Sequence, residues 1–438
     1  MTAQVAILNK ESVALASDSA VTISQGNGDE SSKQKIFTSA NKLFALSKYQ
    51  PVGIMVYGEA EFMDVPMETI IKTYREKLGR KTFETLDKYG SDFIGFFDNG
   101  NFMFPEALQD RFAAETFYSY FSYIKRLITD SVESVIVERG RIPRQVIREI
   151  VRDVIREQYQ PWRIARNIPS IPTSFIAEVL NKYLQTINTA IQEVFENLPL
   201  SELDLTRLRK TAASLFSKYP EDVLRERSCG IVIAGFGTQD TFPSLVSFDM
   251  EGIVNNKLKY KPYHSSKISF ELIGSVIPFA EGEMVETFME GVAPDCKEIE
   301  INYLSQTFQE YAETITDLLD KYNDSEKKRF KNRILSIGDE VLEKLTENLE
   351  EYRKECHTDP ITTIVSVLPK DELAAMAESF IHLTSLKRRY TMEEETVGGA
   401  IDVAVISKGD GFIWIKRKHY FKAELNPGFI ERYYEEKR

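Results

Sequence analysis

Cysteine and histidine are both scarce in this chain of 438 residues: three of the first and four of the second. Cys229, Cys296 and Cys356 are too widely spaced and too few for a disulfide framework, and they offer no CxxC pair to zinc. This usage fits a reducing cytoplasm, so a cytoplasmic location is expected. None of His264, His357, His382 and His419 belongs to an HExxH arrangement, so neither a metal nor another cofactor is expected. No GxSxG elbow supports a serine triad. No run of about 18 apolar residues is present, which excludes a transmembrane helix. No charged segment followed by an apolar one opens the chain, so no signal peptide is expected. An excess of positive charge is missing too. The formal net charge of −12 argues against nucleic acid or an anionic membrane as partner. The segment IAGFGTQD has two glycines but no lysine, and is no phosphate loop.

What remains is a globular composition, 42% hydrophobic and 28% charged. The first segment alternates apolar and polar residues (Val5, Ile7, then Val13, Leu15, then Val21, Ile23), the period of half-buried strands. After the polar stretch QGNGDESSKQ come three more strand-like runs, KIFTSA, KLFALS and VGIMVYG. The period then becomes helical in MDVPMETIIKTYREKLG, where Asp64 suits an N-cap and Pro66 the first turn. From about 80 to 227 the pattern is helical throughout. Arg144, Arg148, Arg152 and Arg156 form a row, but Glu149, Asp153 and Glu157 interleave with it, which reads as a solvated, self-paired face. Strand character returns at CGIVIAGFG, PSLVSFDMEGIV and KISFELIGSVIPF. A second charged helical stretch spans about 298–352. The helix DELAAMAESFIHLTSLKRR precedes a closing hairpin, GGAIDVAVISKGDGFIWI.

With the two helical stretches set aside, the order of strands and helices resembles the proteasome β-subunit family of N-terminal nucleophile (Ntn) hydrolases. The resemblance rests on TAQVAILNKESVALASDSAVT, a lysine before a strand in KQKIF, the glycine of MVYGEAEF and the closing hairpin. It covers the core but neither helical stretch. It implies an α+β fold, a four-layer αββα sandwich. The core would comprise residues 1–79, 228–297 and 353–438, with helical insertions at 80–227 and 298–352.

The resemblance also implies roles. Thr2 takes the nucleophile position and Asp18 the acid that holds a lysine. Lys35 takes the cation near the nucleophile, with Lys33 as the alternative. Gly58 takes the oxyanion N–H, Ser275 a serine that contacts the terminal amine, and Glu394 a second acid. Two positions depart from the family: no serine stands before Gly398-Gly399, and Ala3 replaces a second threonine.

A threonine hydroxyl needs a base, and a terminal threonine carries one in its own α-amine. That chemistry requires removal of Met1. The expectation is therefore a threonine-type hydrolase of peptides or amides, assembled as a homo-oligomer, with any unfoldase or regulatory partner unidentified. Two other readings stay open: a silent scaffold of the same fold, and a small-molecule amidase lidded by the helical insertions.

Overall fold

The computed structural model describes residues 2–25, 33–98, 102–220, 228–319, 321–392, 397–419, 421–428 and 431. The chain begins with β1 (Ala3–Asn9) and β2 (Ser12–Ser17), then a separate ribbon of β3 (Val21–Gln25) and β4 (Lys33–Phe37). β5 (Leu43–Ala45) and β6 (Val52–Gly58) follow. A two-residue ribbon, β7 (Glu61–Phe62) with β8 (Val65–Pro66), leads into α1 (Met67–Leu78) and α2 (Leu86–Gly95). Asp64 is not the cap of α1. It lies in the ribbon's turn with φ 60°, and the helix starts after Pro66.

Four helices come next: α3 (Glu106–Arg139), α4 (Arg144–Ile164), α5 (Phe175–Val194) and α6 (Glu202–Ser214). Then come β9 (Cys229–Gly235), β10 (Ser244–Val254), β11 (Lys257–Lys267), β12 (Gly274–Ala280), α7 (Glu283–Glu290), α8 (Pro294–Asp317) and α9 (Asp324–Arg353). A single π-turn separates α9 from α10 (Asp359–Val365), and α11 (Lys370–Tyr390), β13 (Asp402–Ser407) and β14 (Gly411–Lys416) complete the fold. KISFELIGSVIPF is therefore not one strand: Ser269 turns back to Leu272 between β11 and β12.

The strands form two five-stranded antiparallel sheets, ordered β12-β1-β2-β13-β14 and β11-β10-β9-β6-β5. Period-2 alternation sorts their side chains. Ala6 and Leu8 of β1 meet Met55 and Val232 of the other sheet in one buried cluster. Ala3, Val5 and Ile7 point the opposite way, onto Phe380 and Ile381 of α11. On the outer face of the second sheet, Ile54 and Ile231 pack on Ile70 and Tyr74 of α1 and on Phe93 of α2. Both faces of β1 are thus covered, which explains why every residue of that strand is buried. Each large apolar side chain so buried contributes roughly 1.5–3 kcal/mol.

The helices α3–α6 have their own core, built around Phe117, Phe121, Trp162, Phe175 and Ile187. That core closes on Val254 at the end of β10. The arginine row on α4 is exposed, and Arg152 and Arg156 both contact Asp153.

Candidate active site

Thr2 lies immediately before β1, buried, between the ends of two neighbouring strands. Its carbonyl accepts a hydrogen bond from the Glu281 N–H at 3.0 Å, continuing the β1–β12 ladder. On the other side, Asp18 follows β2. Its backbone N–H donates to the Ala3 carbonyl at 3.1 Å, and its Oδ1 accepts from the Ala3 N–H at 3.2 Å. Side chain and main chain of Asp18 together fix the residue next to Thr2. Asp18 is itself held: Oδ2 accepts from the N–H groups of Ala20 and Gly398, each at 3.1 Å.

The cation in this cluster is Lys42. Its Nζ donates to Thr2 Oγ1 and to Asp18 Oδ1, both at 2.8 Å, and to the Ala20 carbonyl. Lys42 is 6% exposed although it ends in a charge. Burial pushes its pKa below the ordinary lysine value; Asp18 opposes that shift, and the Lys418 ammonium adds to it. Lys418 belongs to a second buried pair, donating to Asp402 Oδ2 at 2.6 Å.

Lys35 is not part of this cluster. It lies on β4 opposite Ile23, exposed, with its ammonium 5.0 Å from the Phe37 ring centre. Lys33 pairs with Gln25 on the same ribbon. The physical reason is the ribbon itself: β3 and β4 fold back on each other between Asp18 and the strand that carries the site lysine. That strand is β5, and Lys42 stands directly before it.

Gly58 ends β6 and lines, with Thr2 and Lys42, a cleft of about 190 Å³. Its φ is +78°, and a Cβ there would lie 2.4 Å from the Ser228 carbonyl oxygen. Both the left-handed conformation and the close backbone approach require glycine. Glu59, Glu61 and Glu68 also line the cleft. Glu68 is engaged by Asn41 and Lys72.

Ser275 is far from Thr2. The β1–β12 register sets it opposite Leu8, six residues along the strand and so roughly 20 Å from Thr2. The residue that the register brings to Thr2 is Glu281, whose carboxylate is clamped by Arg388 of α11. Glu394 lies outside the described residues.

Lys42 and Glu281 are thus the two positions that sequence reasoning missed. Lys42 had a readable signal, a lysine directly before the strand-like run LFAL. Glu281 had none, since only the strand register places it.

Among the described residues no group of three or more His, Cys, Asp or Glu side chains could hold a metal, and no helix is long and apolar enough to cross a membrane. No family model and no curated protein matches the chain.

Proposed function

We propose that the chain is a threonine-type N-terminal nucleophile hydrolase of peptide or amide bonds, acting once Thr2 is the terminal residue. The observation that carries this reading is the buried Thr2–Lys42–Asp18 cluster opening onto a cleft. Burying an ammonium and a carboxylate around a hydroxyl is costly even when they are paired, and such arrangements concentrate at functional sites. The two facing antiparallel sheets with helices outside support the Ntn sandwich in which such a cluster would work.

In this reading the α-amine of Thr2, with an unperturbed pKa of roughly 7.7–8, takes the hydroxyl proton. The Lys42 ammonium beside it favours the neutral amine and the developing alkoxide. The hydroxyl oxygen attacks the substrate carbonyl, and the Gly58 N–H bonds the resulting oxyanion, a contribution of roughly 3–4 kcal/mol. The amine then returns its proton to the leaving nitrogen, and water releases the acyl group from Thr2 by the same route. The cleft is small beside ligand pockets of roughly 300–1,000 Å³, the size for one side chain or a small amide. No described residue of 80–227 or 298–352 lines it, so the described part of the helical segments lends no support to the lidded-amidase alternative.

The test is N-terminal sequencing and intact mass, followed by labelling with a threonine-reactive electrophile across pH. Labelling at Thr2 that rises through a single ionisation below about 8 is expected. A retained Met1, or labelling that survives Thr2→Ala, overturns the proposal. The scaffold reading is favoured by one observation: Val397, buried, stands before Gly398-Gly399 where the family has serine. Unchanged cellular function of Thr2→Ala would select it.

A further inference from the structure

Strand register sorts the inter-sheet face of the first sheet into rows. Leu8, Val13 and Ile406 lie side by side on β1, β2 and β13, and so do Ala6, Leu15 and Ala404. All six belong to the apolar core between the sheets. The next row toward Thr2 is Gln4, Ser17 and Asp402. Alternation along each strand keeps it on the same face. All three residues are buried. A polar row at this depth costs free energy that an apolar one would not, unless its groups are bonded.

Asp402 is taken by Lys418. Gln4 makes a bridge. Its Nε2 has two hydrogens, and they go to different sheets. One goes to Ser17 Oγ at 3.0 Å. The other goes to the Val56 carbonyl of β6 at 2.6 Å. Both acceptors lead on to the ion pair at Thr2. The Ser17 hydroxyl donates to the Asp18 carbonyl at 3.0 Å. The Val56 N–H donates to the Lys42 carbonyl at 2.9 Å. The main chains of Asp18 and Lys42 thus hang on one amide. That amide belongs to the strand that begins at Thr2, two residues on, and faces the same way. Gln4 Oε1 has no partner among the described residues. The two donors are therefore the whole of its bonding there. A glutamate would set a carboxylate against the Val56 carbonyl, and a methionine would remove that carbonyl's Gln4 donor.

We infer that Gln4 is a positioning residue, whose side-chain amide joins the two sheets and fixes the Lys42–Asp18 pair against Thr2. Its effect on rate rests on the hydrolase reading; its effect on Lys42 rests on the bridge alone.

The experiment compares two variants of the full chain. Gln4→Met nearly keeps the volume and removes both donors. Leu15→Val loosens the neighbouring apolar row and leaves the bridge intact. With Thr2 terminal, Gln4→Met should lower the maximal rate of electrophile labelling at Thr2 by about ten- to a hundred-fold. The half-saturating concentration should stay the same, since placement and not binding is lost. Leu15→Val should lower the melting temperature and leave the labelling rate unchanged. A second readout needs no reaction. In protein carrying isotope-labelled lysine, the Lys42 resonance is the one missing from Lys42→Met, and it should titrate below the ordinary lysine value. Its midpoint should move toward that value in Gln4→Met and stay in place in Leu15→Val. Ser17→Ala cuts only the arm to Asp18. It should give the same two changes at smaller size, and it decides the matter if Gln4→Met does not fold. Wild-type protein that is never labelled overturns the hydrolase reading, and the Lys42 titration then judges the bridge. Bridge variants that match the wild type in labelling and titration overturn the inference. So does a change in Leu15→Val as large as theirs.

Discussion

Two regions of this molecule invert the usual partition of side chains. At the start of β1 an ammonium, a carboxylate and a hydroxyl are buried. On the α8–α9 hairpin, by contrast, large apolar residues face solvent, Tyr311, Ile315, Phe330 and Ile337 among them. Burying charge and exposing apolar surface are both unfavourable for the isolated chain. A sequence shaped by stability alone would avoid them. The helices α3–α6 come closer to that, with Phe117, Phe121, Trp162 and Phe175 inside and the arginine row of α4 outside. The two inversions differ in what relieves them. The first is relieved internally, because every charge in it has partners. The second is left uncovered by the described residues.

The contrast can be broken from its strongest point downward. Asp18→Ala should be the most damaging change, at about 3–5 kcal/mol, because it strands a buried ammonium without its anion; chemical denaturation measures it. Gly58→Ala should follow. The left-handed backbone alone costs about 1–3 kcal/mol for a residue with a side chain, and the Ser228 carbonyl blocks the new methyl group. Lys42→Met should cost less than Asp18→Ala, about 1–3 kcal/mol, because Asp18 keeps three backbone N–H donors. It should nevertheless abolish electrophile labelling at Thr2.

The same variant has a signature in pH. The folded pKa of Lys42 is lowered, so between that value and about 10.4 the unfolded chain binds the additional proton. Wild-type stability therefore contains a term that rises with pH across this window, and denaturation of Lys42→Met across the same pH range should lack it. Smallest of all, Lys35→Ala should leave labelling unchanged and stability within about 0.5 kcal/mol, as for an ordinary surface substitution. Loss of labelling in Lys35→Ala would return that residue to the site.

Much of this was legible in the sequence. The alternation in β1 and β2, the glycine at the end of β6 and the final hairpin follow from period and turn chemistry. The placement of Asp18 beside Thr2 was implied by family resemblance. Lys42 escapes because KQKIF also offers a lysine just before a strand, and offers it earlier in the chain. The β3–β4 ribbon adds chain without moving its ends, so a count along the sequence stops at Lys35 while the fold continues to Lys42. Ser275 failed for another reason. It was placed by motif, and a motif does not carry strand register; the ladder between β1 and β12 runs until Glu281, not Ser275, meets Thr2. The apolar face of the hairpin was also hidden, because an amphipathic helix pattern does not say whether its apolar side is covered.

The Lys42 ammonium has three hydrogens, and three acceptors take them: Thr2 Oγ1, Asp18 Oδ1 and the Ala20 carbonyl. It stands as a filled tripod. No N–H is left over to reach into the cleft, so in the proposed reaction a substrate would meet the field of this lysine but not its hand. In the proposed chemistry any proton that moves at Thr2 would travel by another group, with the lysine as a stationary charge whose position is set beforehand.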